Sequence, residues 1–297
     1  MLTRILALAT LFTALPALAQ PSAPDTLTAE DGWIQDLGLQ LAGSQAMYSN
    51  WQEGGIDAIA LTAQSEGIFY RVSGAIRQAH EIRLALGGLK QDTLSFRKAD
   101  DIARYALGLE YVTGGPIRPS FSFTAKTQFV KGFDYSVDPG DYPTLPVESD
   151  GSVQVSNAFA PLTLSQSAGV VYDPGAGFTS RVGLGLKETV VVTDRLRPLY
   201  GNALDQAVRV QAGLDAELRL RRDLVENVTL TSRLAAFQAF NEIGDVEPDV
   251  VFENRLRMRV NDFLNVTLDG ALLFDRDVSV DLQARQSLAV GVAFTLI

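Results

Sequence analysis

The side chains with chemistry to offer in this sequence are charged, and they come in rows. Arg209, Asp215, Glu217 and Arg219 fall on alternate positions of VRVQAGLDAELRLR (208–221), and Glu253, Arg255, Arg257 and Arg259 do the same in VFENRLRMRV (251–260). Lys126, Arg181, Lys187, Arg233 and Asp269 stand on similar alternating stretches. Such rows either line a wet passage for small, possibly anionic solutes or neutralise one another as ion pairs.

Other chemistries find little support. The absence of Cys excludes a thiol nucleophile, a thiolate metal site and a disulfide framework. His80 is the only imidazole, so a Ser-His device would have to use it. It stands in RQAHEIRLALG with no G-x-S-x-G near it, and its phase turns it away from the face of Glu81, Arg83 and Ala85. It therefore reads as an interfacial or turn residue. Asp100 and Asp101 are neighbours that face opposite ways on a strand and chelate poorly. The acidic run FDYSVDPGDYPTLPVESD (133–150) does not follow the spacing of a calcium-binding loop. No catalytic residue, metal or cofactor is expected.

The positions between the charges identify the element that carries them. Val208, Val210, Ala212, Leu214, Ala216, Leu218 and Leu220 alternate with the polar set, which is the period of a strand with unlike faces. A tilted strand needs roughly 9–11 residues to cross hydrocarbon, and this one exceeds that while outrunning the usual globular strand. Twelve such stretches follow from the pattern, near 35–47, 56–66, 76–90, 101–112, 117–131, 158–172, 177–190, 204–221, 226–239, 249–261, 263–275 and 284–297. Every second connection is short (VTGGP, DPGAG, RDLVE, NDF). The others are longer and polar, above all the Pro-containing loop 132–157. Only the gap at 67–75 breaks the alternation. Tight turns at one end and long loops at the other characterise a membrane barrel, whereas the two ends of a soluble sandwich have no reason to differ.

The expected fold is all-β, a single antiparallel up-and-down transmembrane barrel of about twelve strands. In hydrocarbon an open sheet edge is costly, so the last strand must meet the first. The N-terminus agrees. MLTRILALATLFTALPALAQ has a basic residue, an apolar run and a small-x-small site, the pattern of a secretory signal cut after Ala19. The expected division is a signal over 1–19, a short periplasmic segment over 20–34 and the barrel over 35–297, with the bacterial outer membrane as the destination. The formal net charge of −10 and the lack of a basic footprint argue against nucleic acid. The implied partners are outer-membrane lipid and lipopolysaccharide, the barrel insertion machinery and a small solute.

With the aliphatic positions toward lipid, the charged rows face the lumen. Val260 opposite Leu264 brings Arg255 to Asp269, and Leu220 opposite Val228 would bring Asp215 to Arg233.

A further element surrounds Trp51, Gly54 and Gly55 (W-x-x-G-G), followed after a strand by Lys98, Asp100 and Asp101 in the run KADD. This arrangement resembles the bacterial family of unknown function DUF3078, and the resemblance runs from about Leu37 to the terminus. It implies an outer-membrane β-barrel and assigns no functional residue. Trp51, Gly54 and Gly55 fit a tight external loop whose glycines take positive φ and whose indole packs over the rim, with ligand stacking as the other reading. Three functions stay open: a non-enzymatic barrel that is a narrow channel or a structural surface module, an outer-membrane enzyme acting on lipids, and a secreted glycan-binding sandwich.

Overall fold

The computed structural model describes residues 32–46, 58–91, 94–135, 142–240, 247–261, 263–276 and 282–295. The signal segment, Trp51, Gly54 and Gly55 lie outside them.

Twelve strands close into one barrel: β1 (Gly32–Ala46), β2 (Ala58–Ser73), β3 (Ile76–Gln91), β4 (Arg97–Tyr111), β5 (Ile117–Thr127), β8 (Leu162–Gly175), β9 (Phe178–Val190), β10 (Val208–Val225), β11 (Val228–Ala239), β12 (Asp249–Arg259), β13 (Leu264–Phe274) and β14 (Gln283–Thr295). Two short strands, β6 (Gly132–Asp134) and β7 (Val153–Ser156), pair with each other inside the long loop between β5 and β8. Each barrel strand pairs antiparallel with its neighbours, and β1 meets β14 to close the ring. This is a meander rather than a sandwich.

The stretch 67–75 is not a gap. β2 runs on to Ser73 and the chain turns at Gly74, whose φ of 56° suits a residue without Cβ. Its pattern is obscured because Ile68, Tyr70 and Val72 stand on the inward face, so both faces carry apolar residues. With that turn short, short and long connections alternate around the ring except at β3–β4, whose connection is as short as that of β4–β5. β10 is also displaced from its expected bounds. A 3-10 turn over Asp194–Tyr200 delays its start to Val208, and it continues to Val225 before turning through Glu226 and Asn227.

Burial is inverted relative to a water-soluble protein. Gln40, Thr62, Gln64, Glu66, Ser167, Thr189, Gln211, Glu217, Asn265 and Thr267 are buried, while Leu41, Leu61, Leu86, Val182, Leu184, Val210, Leu214 and Leu218 are exposed. Alternation puts the first set inside the barrel and the second on its outer wall. Among the described residues, the buried apolar cluster lies at the long-loop end. There Leu145, Val153, Val191 and Leu196, flanked by Tyr142, Leu199 and Tyr200, bind the β5–β8 loop to the β9–β10 loop. Tyr200 donates to the Val155 carbonyl (2.8 Å) and Arg195 to Gln154 Oε1 (2.6 Å), so the two loops form one small cap.

Candidate functional site: the charged lumen

Backbone register fixes the inner face. Arg83 stands opposite Glu66 and Arg104, Lys126 opposite Arg104, Arg181 opposite Glu217, Arg233 opposite Glu253, and Arg255 opposite Asp269. Opposed residues share a face, so these side chains all enter the lumen.

There they form a connected set. Glu217 accepts from Arg219 Nε and from Arg233 Nε, both at 2.7 Å, and Arg233 also reaches Glu253 (3.0 Å). Arg255 donates to Asp269 at 2.6 Å. Arg181 pairs with Asp215 at 2.8 Å and donates to the Ser122 hydroxyl. Lys187 meets Asp249 (2.6 Å) and, more distantly, Asp275 (3.5 Å). On the other wall Arg83 meets Glu66 (3.4 Å), Arg104 meets Glu81 (3.5 Å), and Arg118 meets Glu110 (2.7 Å). Among the described residues one contact reaches furthest across: Arg219 Nη1 on β10 lies 3.8 Å from Glu81 Oε1 on β3, five strands away around the ring. Long charged side chains therefore span the lumen at this level.

The remaining lumen residues sit nearer the ends. Arg257 lies among Arg221, Arg255 and Arg259 toward the short-turn mouth, with the acids Glu66 and Asp36 also near it, and Arg259 donates to Asn227 Oδ1 (2.8 Å). Arg209 stands opposite Thr189 on the inner face of β10 near the long-loop end. Lys126 borders an open cavity of about 410 Å³ with Lys98, Asp100, Gln128 and Ser156.

The register expected for Asp215 and Arg233 is corrected. Asp215 stands opposite Phe237, and Arg233 opposite Arg219. β10 runs four residues past Arg221 and turns tightly, with a bulge between Asp223 and Val225, so the ladder is offset from one closed by Leu220 and Val228. Arg233 then finds Glu217 as its acid, and Asp215 finds Arg181. Sequence pattern also passed over Glu66, Asp249 and Asp275. Glu66 belongs to the poorly alternating β2, and Asp249 and Asp275 stand at loop junctions where alternation carries no information.

Lys98, Asp100 and Asp101 act on the loop that follows β5. The Asp101 carboxylate accepts from the backbone N–H of Phe129 (2.7 Å) and of Val130 (2.9 Å), and Lys98 Nζ reaches Asp101 (3.1 Å), Gln128 Oε1 (2.9 Å) and the Val130 carbonyl (3.2 Å). Gln128 extends the clamp through its own bond to the Ala160 carbonyl (2.8 Å). Asp100 points inward, opposite Gly87. The paired acids serve different faces, and the motif fastens both ends of the long loop to the barrel wall.

His80 is on the outer wall. Its Nδ1 is 2.8 Å from Tyr105 Oη, and its ring sits between Trp33 (5.6 Å) and Tyr105 (6.1 Å), with Phe123 beyond (6.3 Å from Tyr105). Such a row near the short-turn rim matches the aromatic girdle of a membrane barrel. Among the described residues no group of three His, Asp or Glu is arranged to hold a metal ion.

The stretch that carries the clamp resembles a known family. Residues 44–133 match the family described as protein of unknown function (DUF3078). The DUF3078 stretch covers the end of β1, all of β2 to β5, and the clamp. No curated protein matches the chain. Among solved structures it is similar to the COG4313 outer membrane channel from Pseudomonas putida F1 (9% identity, TM-score 0.42, covering 94% of this chain and 99% of that one). It is also similar to the translocator domain of the autotransporter NalP from Neisseria meningitidis (12% identity, TM-score 0.37, covering 88% and 87%). At these identities the likeness is one of barrel architecture. The chain is a closed β-barrel with the inverted burial of an outer-membrane β-barrel protein.

Proposed function

We propose that this barrel stands in the bacterial outer membrane, exported by a signal over residues 1–19, and gives small, preferentially anionic solutes a narrow wet path. The short turns face the periplasm and the capped long loops face outward, following the usual arrangement. Lipid and lipopolysaccharide surround the apolar wall, and the barrel insertion machinery delivers it there.

The observation that carries the reading is that the charged level where Arg219 approaches Glu81 keeps accessible side-chain surface. The side chains of Arg219 and Glu253 keep 45% and 50% of their exposure. Ions in a dry plug would lose several kcal/mol of solvation each, and these have not been dried. The contact between Arg219 and Glu81 is also longer than a direct hydrogen bond. An arrangement of this kind narrows a passage without packing it shut. The grouping of Arg221, Arg255, Arg257 and Arg259 toward one mouth favours anions there.

Planar-bilayer recording on the purified protein tests the proposal. Small unitary currents with an anion preference that weakens in Arg257→Ala support it. Electrical silence, with folding verified by heat-modifiable mobility, shifts the assignment to a structural or surface-exposed module. The folded cap of the two long loops is the feature that would then carry function.

A further inference from the structure

The barrel closes unevenly. β1 pairs with β2 along its whole length, from Gly32 to Ala46, but with β14 over four residues only, Gly38 to Leu41 against Thr295 to Val292. β14 in turn stays paired with β13 from Gln283 to Val292. Continued without a shift, the same register would put Ala42 opposite Gly291 and Ala46 opposite Ser287, yet among the described residues no pairing is found there. Beyond Leu41 and Val292, toward the long-loop end, the β1–β14 ladder is not continued.

What flanks the opening differs on its two sides. Outside, Leu39, Leu41, Ile59, Leu61 and Val292 are exposed, so the gap lies within the apolar belt. Inside, the wall is polar, with Gln40, Thr62, Gln64, Asn265 and Thr267 all buried, and charge enters only as acids held by partners: Glu66, which accepts from Gln64 and meets Arg83, and Asp269, which stands opposite Ser287 and accepts from Arg255. The Gln40 side chain is fully buried, and neither its amide nitrogen nor its oxygen has a hydrogen-bond partner. Its amide occupies the space that a side chain at Gly291 would fill, since a Cβ there would lie 1.9 Å from Gln40 Nε2. An unsatisfied amide therefore reaches across the inner side of the seam.

The geometry points to a lateral portal between β1 and β14, opening the lumen to the bilayer for a small apolar molecule that carries one hydroxyl or carbonyl group. The hydrocarbon body suits the outer flank, and Gln40 supplies a donor and an acceptor for the single polar group. The charged constriction makes a side route useful. Through Ile68, Glu81 falls in register with Asp36, which precedes Ala42 on β1 toward the short-turn end. An apolar solute entering from the long-loop end passes Lys187 with Asp249 and Asp275 at the mouth, and meets the gap before it must cross the contact of Arg219 with Glu81. This inference rests on the membrane reading above.

The test uses the full-length protein in lipid nanodiscs and a diazirine-bearing aliphatic alcohol as photolabel. The chain has no native Cys, so the pair Ala42→Cys and Gly291→Cys can be oxidised to staple the gap, with Leu41→Cys and Val292→Cys stapling the existing ladder as control. Label is expected on the inner residues Gln40, Thr62 and Thr267 in the unmodified protein, in the oxidised control and in the reduced A42C/G291C protein, where the side chain added at Gly291 crowds Gln40 without closing the gap, and is expected to be lost only when A42C/G291C is oxidised. Label confined to outward residues, or inner label unchanged by the staple, overturns the portal. If the staple does not form, amide hydrogen exchange decides. Faster exchange over 42–46 and 287–291 than over 58–63 supports an open seam, and equal protection refutes it. A chain that fails to enter nanodiscs at all would instead refute the membrane reading.

Discussion

Arg219 and Glu81 face each other across the barrel at 3.8 Å and so link the β10 wall to the β3 wall. Each is also held by neighbours, Arg219 by Glu217 and Glu81 by Arg104, so the pair marks where two independent networks approach. Water-exposed ion pairs of this kind contribute at most about 1 kcal/mol each, so truncating both partners leaves folding intact while widening the passage. The double variant Glu81→Ala/Arg219→Ala should show larger unitary currents than the parent at unchanged heat-modifiable mobility. An equal or smaller conductance would place the limiting constriction elsewhere.

The assignment of faces makes a second prediction. Leu214 is exposed on the outer wall and Gln211 is buried on the inner one, opposite Lys187. A basic residue at mid-membrane on the lipid face costs about 2–4 kcal/mol, and an acidic one less. Asp at position 211 gains a cationic neighbour instead. Leu214→Asp should therefore lower the yield of folded, heat-modifiable protein, whereas Gln211→Asp should fold close to normally. Comparable yields would contradict the faces.

Alternation explains which parts of this molecule were legible in the sequence. Where one face is aliphatic and the other charged, as in β10 and β12, strand, face and inward row all follow from period two, and the short NDF connection carried the Arg255–Asp269 pairing with it. Legibility fails where that contrast fades. β2 has Ile68 and Tyr70 on the lumen side, so its second half read as a gap. The offset of β10 against β11 depends on a bulge and on a turn at Asn227, which alternation does not encode, and the pairing expected for Asp215 was wrong for that reason. Contacts across the lumen, such as Arg219 with Glu81, depend on ring closure and lie beyond any local pattern. The roles of Lys98 and Asp101 were hidden similarly, because their partners are backbone groups of a distant loop.

That clamp gives a third prediction. The Asp101 side chain is 1% exposed and takes two backbone N–H donors as well as Lys98. Removing a buried acceptor leaves its donors unsatisfied at about 1–3 kcal/mol, more for charged groups. Asp101→Ala should free the start of the long loop and speed limited proteolysis between residues 128 and 161 while the barrel stays heat-modifiable. Lys98→Met should have a smaller effect in the same direction, because the carboxylate keeps both backbone bonds. Cleavage rates unchanged in both variants would remove the clamp from the account of the loop.

The cap offers a prediction in pH. Burial, with Tyr142 beside it, pushes the Tyr200 phenol from an ordinary value near 10 up to about 12. The raised value means that the folded cap prefers the neutral phenol, whose proton is donated to the Val155 carbonyl. Its contribution is therefore fully present below about pH 10 and is lost as the pH rises through about 12. Amide exchange over Ser152–Ser156, corrected for its intrinsic base catalysis, should accelerate in that alkaline window in the parent protein. In Tyr200→Phe the ring still fills the cluster with Leu196 and Val153, but the hydrogen bond is gone. That variant should start less protected, by about 1 kcal/mol for one neutral hydrogen bond, and should lack the added alkaline loss. The same alkaline loss in Tyr200→Phe would show that another group, not this phenol, releases the cap.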